Sequence, residues 1–155
     1  MKALIFDEPK KPVVTQVQMP RMTDNDVLIR SRRVGICHSD YELLAGQYII
    51  PISYPVTPGH EWVGEVVEVG SEVRRFKVGD RVLAAAVIGC DRCPSCLAGD
   101  VIACRRGGPR AFGTLPDFDG GQAEAVAVPA ADTSLLRLPA HVTQRQGVLL
   151  PDIRP

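Results

Sequence analysis

The chain has 155 residues, 45% of them hydrophobic, enough for one domain with a buried core. Its 18 basic and 18 acidic residues cancel, so there is neither a basic footprint for nucleic acid nor a polybasic membrane patch, and neither partner is expected. The longest apolar run, Leu83 to Ile88, is far too short to span a bilayer. Met1-Lys2-Ala3-Leu4-Ile5-Phe6 runs directly into acidic residues and proline, unlike a signal peptide, so a cytoplasmic protein is expected.

Fourteen Gly and thirteen Pro, against four Phe, three Tyr and one Trp, favour short strands and frequent turns. In chain order the predicted strands are Ala3–Phe6, Val13–Val17, Val27–Arg30, Glu65–Val69, Arg81–Ala84 and Ala125–Val128. Turns at Pro9, Pro12, Pro20, Asp24-Asn25-Asp26, Gly70, Gly79-Asp80 and Pro129 separate them. Such a pattern reads as an all-β barrel or sandwich with few helices. Two helices carry capping boxes, one from Ser39 to Glu42 that stops at Gly46, the other opening at Thr143 with Gln146 three residues on. After the second, Val148-Leu149-Leu150 meets Pro151 and reads as an element without a packing partner.

Five cysteines in a cytosolic chain suggest metal more than disulfide. Cys90, Cys93, Cys96 and Cys104 form C-x2-C-x2-C-x7-C, which places four thiolates around one ion. A closed tetrahedron of sulfur fits Zn²⁺ in a structural role, and the surrounding loop gives no reason to prefer an iron–sulfur cluster. Arg92, Arg105 and Arg106 are placed to offset the double negative charge of such a site, or to form an ordinary solvated surface. The loop-rich lobe at about 88–107 should draw much of its stability from the metal.

The fifth cysteine stands alone, in Gly35-Ile36-Cys37-His38-Ser39-Asp40. Further on, Gly59-His60-Glu61, Gly64, Gly70 and Val73 spell G-H-E-x2-G-x5-G-x2-V. Together with the four-cysteine lobe, and in the same order, these motifs resemble the zinc-containing alcohol dehydrogenases of the medium-chain dehydrogenase/reductase family. The resemblance covers the whole chain. It implies a mainly β fold, a GroES-like partly open β-barrel with few short helices and a zinc lobe of four cysteines.

Carried over residue by residue, the resemblance makes Cys37 and His60 ligands of a catalytic zinc and Glu61 its acidic neighbour. Leu149-Leu150-Pro151-Asp152 is similar to the branch whose third ligand is Asp, which makes Asp152 that ligand, and no sixth cysteine competes for the place. A thiolate and a carboxylate neutralise Zn²⁺ and leave a fourth position open, where an alcohol would lose its proton readily and give up hydride to a nicotinamide. Ser39 resembles the hydroxyl that relays the substrate proton, and His38 stands where relatives face the coenzyme pyrophosphate. Glu42 departs from relatives that end the relay with His. Tyr48, Ile49, Ile50 and Trp62 are candidates to line an alcohol pocket, or else to pack the core.

No G-x-G-x-x-G is present, so residues 1–155 are expected to form the catalytic domain alone, without the Rossmann domain that binds NAD or NADP. The expected whole is an NAD(P)-dependent zinc alcohol dehydrogenase with two zinc ions per chain, a small alcohol or carbonyl substrate and a homo-oligomeric full-length form. The isolated chain is expected to lack activity. A stand-alone zinc-stabilised GroES-like binding or scaffold module is the competing reading. A zinc-free quinone-reductase relative or a co-chaperonin would need neither cysteine set.

Overall fold

Runs of Val, Ile and Ala bounded by Gly, Pro and Asp become strands, because β-branched side chains pack well on a pleated, half-buried surface. The computed structural model describes residues 1–115 and 118–152. Its first two strands, β1 (Lys2–Glu8) and β2 (Lys11–Gln16), form an antiparallel hairpin. Pro12, read from the sequence as a turn, lies inside β2 opposite Phe6. It is tolerated because β2 is an exposed edge strand, where a missing N–H breaks little.

The main sheet is antiparallel and five-stranded. β3 (Val27–Val34) lies between β8 (Ala125–Val128) and β4 (Trp62–Val69); beyond β4 come β5 (Arg81–Ala84) and β9 (Leu135–Arg137). Among the described residues the sheet stays open, with β8 and β9 at its edges. β6 (Val87–Ile88) and β7 (Arg110–Ala111) make a small separate ribbon. The helices α1 (His38–Ala45), α2 (Pro94–Leu97), α3 (Ala131–Ser134) and α4 (Gln144–Gly147) are short. The fold is thus mainly β with few short helices, as expected.

Alternate residues of the strands feed two cores. Val27, Ile29, Trp62, Val66, Val82, Phe112 and Val126 are fully buried on one face. On the other, Val63, Leu83 and Leu138 pack with Val142 and Val148 beneath α4. Each fully buried Val or Leu contributes about 1.5–3 kcal/mol relative to exposure. Val148 therefore has the partner that the sequence reading denied it, whereas Leu149 and Leu150 remain exposed. Trp62 is buried edge-on to Phe112, with rings 5.6 Å apart, so it is a core residue and lines no alcohol pocket.

Candidate metal centres

In the lobe, every cysteine is a free thiol, and the four sulfurs of Cys90, Cys93, Cys96 and Cys104 lie within 4.8 Å of one another. Cys93 caps the N-terminus of α2, with Pro94 preset for the first turn, so Cys93 and Cys96 come one helical turn apart. Cys90 and Cys96 stand 4.0 Å apart, against about 3.8 Å for two sulfurs on a tetrahedral zinc with 2.3 Å bonds. Gly89 makes room: a Cβ there would sit 2.4 Å from the Cys96 sulfur.

The polarisation of these thiols comes from the backbone. The N–H groups of Arg105 and Cys96 point at the Cys93 sulfur and draw its pKa down to about 6. The Arg92 N–H lowers Cys90, and burial pushes Cys96 up. Arg92 and Arg106 are among the residues that line a cleft of about 560 Å³ together with Cys90. Donor set, spacing and sulfur-to-sulfur distance all fit a closed zinc site.

The second centre is assembled from three separate segments. The helix α1 starts two residues earlier than its sequence signal indicated. Its N-cap is Cys37, because the Asp40 carboxylate accepts the Cys37 N–H at 2.9 Å, so the capping pair is Cys37–Asp40 instead of Ser39–Glu42. This leaves the Ser39 hydroxyl free to lie 3.3 Å from His60 Nε2. Gly46, in the left-handed conformation at φ 71°, ends the helix where expected.

His60 and Glu61 come from the bend before β4. Glu61 is held through its carbonyl, which accepts the Gly35 N–H at 2.7 Å. Its side chain lies on the bare face of Gly35, where a Cβ would meet Oε2 at 2.2 Å. Asp152 follows the buried Pro151, whose carbonyl accepts the Ala86 N–H at 3.2 Å, so the chain is tied to the segment joining β5 and β6. The ligand atoms of Cys37, His60, Glu61 and Asp152 all fall within 4.8 Å of one another. Cys37, His60 and Asp152 suit a four-coordinate Zn²⁺ with one position left open, the thiolate and the Asp152 carboxylate matching its two charges, while Glu61 brings a further carboxylate beside them.

Two residues around this centre have other surroundings. Asp40 escaped the sequence reading: it is 4% exposed, and its Oδ1 lies 3.7 Å from His60 Nδ1. The clue in the sequence was its place as the acidic third residue of a helix capped by Cys37. His38 is 80% exposed in its side chain and lies 3.7 Å from Glu42. The expected pocket residues divide as well. Tyr48, Ile49 and Ile50 all line a cleft of about 570 Å³ with Pro9, Pro51, Ile52 and Tyr54, Ile49 being 89% exposed, whereas Trp62 lies in the core.

Residues 23–140 match the family model of the alcohol dehydrogenase GroES-like domain. The chain belongs to this family. It is 39% identical over 153 residues, 98% of its own length, to a "probable zinc-binding alcohol dehydrogenase" of Mycobacterium tuberculosis, of which it spans 39%. An alcohol dehydrogenase from Thermus sp. ATN1 superposes with a TM-score of 0.89 at 32% identity, covering 98% of this chain and 44% of that one. A protein from Sinorhizobium meliloti solved with NADP bound superposes with a TM-score of 0.81 at 37% identity, covering 96% of this chain and 41% of that one. The chain thus spans about two fifths of the length of these relatives. The GroES-like, zinc-type and nucleotide-linked character implied by the motifs is the character of this family. No helix among the described residues is long and apolar enough to cross a membrane.

Proposed function

We propose that residues 1–155 are the catalytic domain of a zinc-dependent alcohol dehydrogenase that transfers hydride from a small alcohol to NAD or NADP, giving an aldehyde or ketone. The convergence of Cys37, His60, Glu61 and Asp152 from three distant segments supports this reading most. Cys37, His60 and Asp152 would hold the catalytic zinc, with Glu61 beside them, and Cys90, Cys93, Cys96 and Cys104 the structural one.

A zinc ion at the Cys37–His60–Asp152 centre would supply Lewis acidity that makes a bound alcohol more acidic. The chain's own groups do the rest. The Asp40 carboxylate faces His60 Nδ1, which favours the proton on that nitrogen and leaves Nε2 as a donor of electrons toward the cluster. Ser39 Oγ, 3.3 Å from that same nitrogen, is placed to accept the substrate hydroxyl proton and pass it outward. Glu42, on the solvent side of α1, stands where the outward path opens, and His38 beside it is offered to the pyrophosphate of the coenzyme.

The coenzyme itself needs a fold that residues 1–155 do not encode, since no G-x-G-x-x-G occurs among them. On this reading these residues alone carry zinc without hydride-transfer activity, and the active form is a cytoplasmic homo-oligomer. Metal analysis is the test. The chain should hold two zinc ions and Cys37→Ser one, with the lobe still loaded. Equal zinc in the two proteins would instead favour a binding module stabilised by the lobe alone.

A further inference from the structure

Gln122 belongs to none of the motifs above, yet its surroundings connect it to the Cys37–His60 centre. It ends the strap Gly120-Gly121-Gln122, whose three N–H groups bond the carbonyls of Thr57, Gly59 and Pro58 at 2.8, 2.7 and 3.1 Å. The strap therefore lies against the bend that presents His60. Gly59 has φ +104°, and a Cβ there would stand 2.7 Å from Gln122 Cγ. Only glycine lets the Gln122 side chain pass so close. Beyond Gly59 its amide Nε2 reaches Asp40 Oδ2 at 3.5 Å, the same oxygen that accepts the Cys37 N–H.

We propose that Gln122 is a positioning residue, a brace that ties the Cys37–Asp40 turn to the Gly59–His60 bend through Asp40 and so sets the separation of the Cys37 and His60 ligand atoms. Asp40 is nearly buried and faces three groups: the Cys37 amide, the His60 ring and the Gln122 amide. The first two sit on the elements that must be aligned. The third arrives from the strap, which is bonded to the Gly59 bend and is held from its other side by the Leu4 N–H on the Gln122 carbonyl at 2.9 Å. A carboxylate with a free rotor would let the His60 ring turn; an amide donor on Oδ2 fixes the carboxylate plane and keeps Oδ1 toward Nδ1.

The inference rests on the zinc reading of the Cys37–His60–Asp152 centre, so its test carries one arm that needs no metal. Gln122→Met keeps the length and the packing on Gly59 while deleting the donor. In the zinc-loaded chain, titration with a colorimetric chelator should release one of the two ions at about tenfold lower chelator concentration than in the parent, the lower end of the effect of losing an outer partner. Release of the ion in the four-cysteine lobe should not change. Cobalt(II) substituted for the released ion should show shifted visible bands.

In the metal-free chain, amide exchange at Cys37 should quicken about threefold to tenfold in Gln122→Met, the scale of one net hydrogen bond. Unchanged exchange at Cys37 overturns the brace whether or not metal binds. Parental release of both ions with an unaltered cobalt spectrum overturns its bearing on the site. Equal zinc in the parent and Cys37→Ser would sink the zinc reading instead, and the exchange arm would still decide the brace.

Discussion

The turn that leads into β5 makes a quantitative prediction about acid stability. Asp80 is 6% exposed in its side chain and gathers four donors: Lys77 Nζ at 2.6 Å, the Lys77 N–H at 3.1 Å, and Arg137 Nη2 and Nε at 3.0 and 3.3 Å. Burial pushes its carboxyl pKa up, but the bonds from Lys77 and Arg137 outweigh it and hold the value at about 2, against 3.8 for an unperturbed Asp. That gap corresponds to about 2 kcal/mol of stability, an order-of-magnitude figure because Lys77 and Arg137 are themselves well exposed. The folded chain binds this proton less readily than the unfolded one. The contribution is therefore complete above pH 3.8 and is lost as pH falls through the window down to about 2.

Asp80→Asn, which keeps the shape and removes the charge, should cost about 2 kcal/mol near neutral pH. Urea unfolding of both proteins, followed by fluorescence of the single Trp62 from pH 7 to pH 2.5, reads the difference directly. The gap should hold steady to about pH 4 and then close, and added salt should reduce it without abolishing it. A gap that stays constant through the acid range would show that the carboxylate charge contributes nothing and would refute the reasoning.

Other substitutions probe the space that glycine leaves. Gly89→Ala sets a methyl group 2.4 Å from the Cys96 sulfur, and the chain should lose about one zinc ion on gel filtration while the far-ultraviolet spectrum of the main sheet persists. Full retention of zinc would disprove the assigned lobe geometry. Gly64→Ala, in mid-sheet, brings a methyl group 2.2 Å from Ile29 Cγ2 and 2.6 Å from the Arg30 carbonyl oxygen. Since one neighbour is backbone, a loss of at least about 1–3 kcal/mol is expected in urea unfolding, and a neutral result would contradict the packing of β3 on β4.

Much of this molecule was legible where chemistry is local. The lobe followed from cysteine spacing alone, because ligands two residues apart can converge without help from the rest of the fold. β5 and β8 fell on the expected residues, since Gly79-Asp80 and Pro129 punctuate them sharply. The errors share a cause in long-range contacts. β9, a three-residue Leu-Leu-Arg piece, exists only through its pairing with β5 and shows no period of its own. Between pocket and core, the two places open to Trp62 on sequence grounds, the core won because Gly121, far along the chain, offers its ring a flat seat 2.5 Å from where a Cβ would stand. The start of α1 shifted because Asp40 serves the Cys37 amide, a choice that Ser39 and Glu42 could equally have claimed on sequence grounds. Asp40 stood in a motif without an assigned role and Gln122 in none, and their meaning lies in partners that only the folded chain brings near.

The two metal centres differ in how early each can exist. The thiols of the lobe lie between Cys90 and Cys104, a stretch of fifteen residues, so they can gather as soon as that stretch leaves the ribosome. The other set needs Asp152 to meet Cys37, closing a loop nearly eight times longer at an added entropic penalty of about 2 kcal/mol, and it needs the bends at Gly59 and Pro151 in place. The lobe can thus gather from its own short stretch, while the second centre requires the fold that joins Cys37, His60 and Asp152. Competence to hold an ion at the second centre would in effect be a checkpoint on folding, since a chain whose Gly59 or Pro151 bend failed to form could still gather the thiols of the lobe but not Cys37, His60 and Asp152.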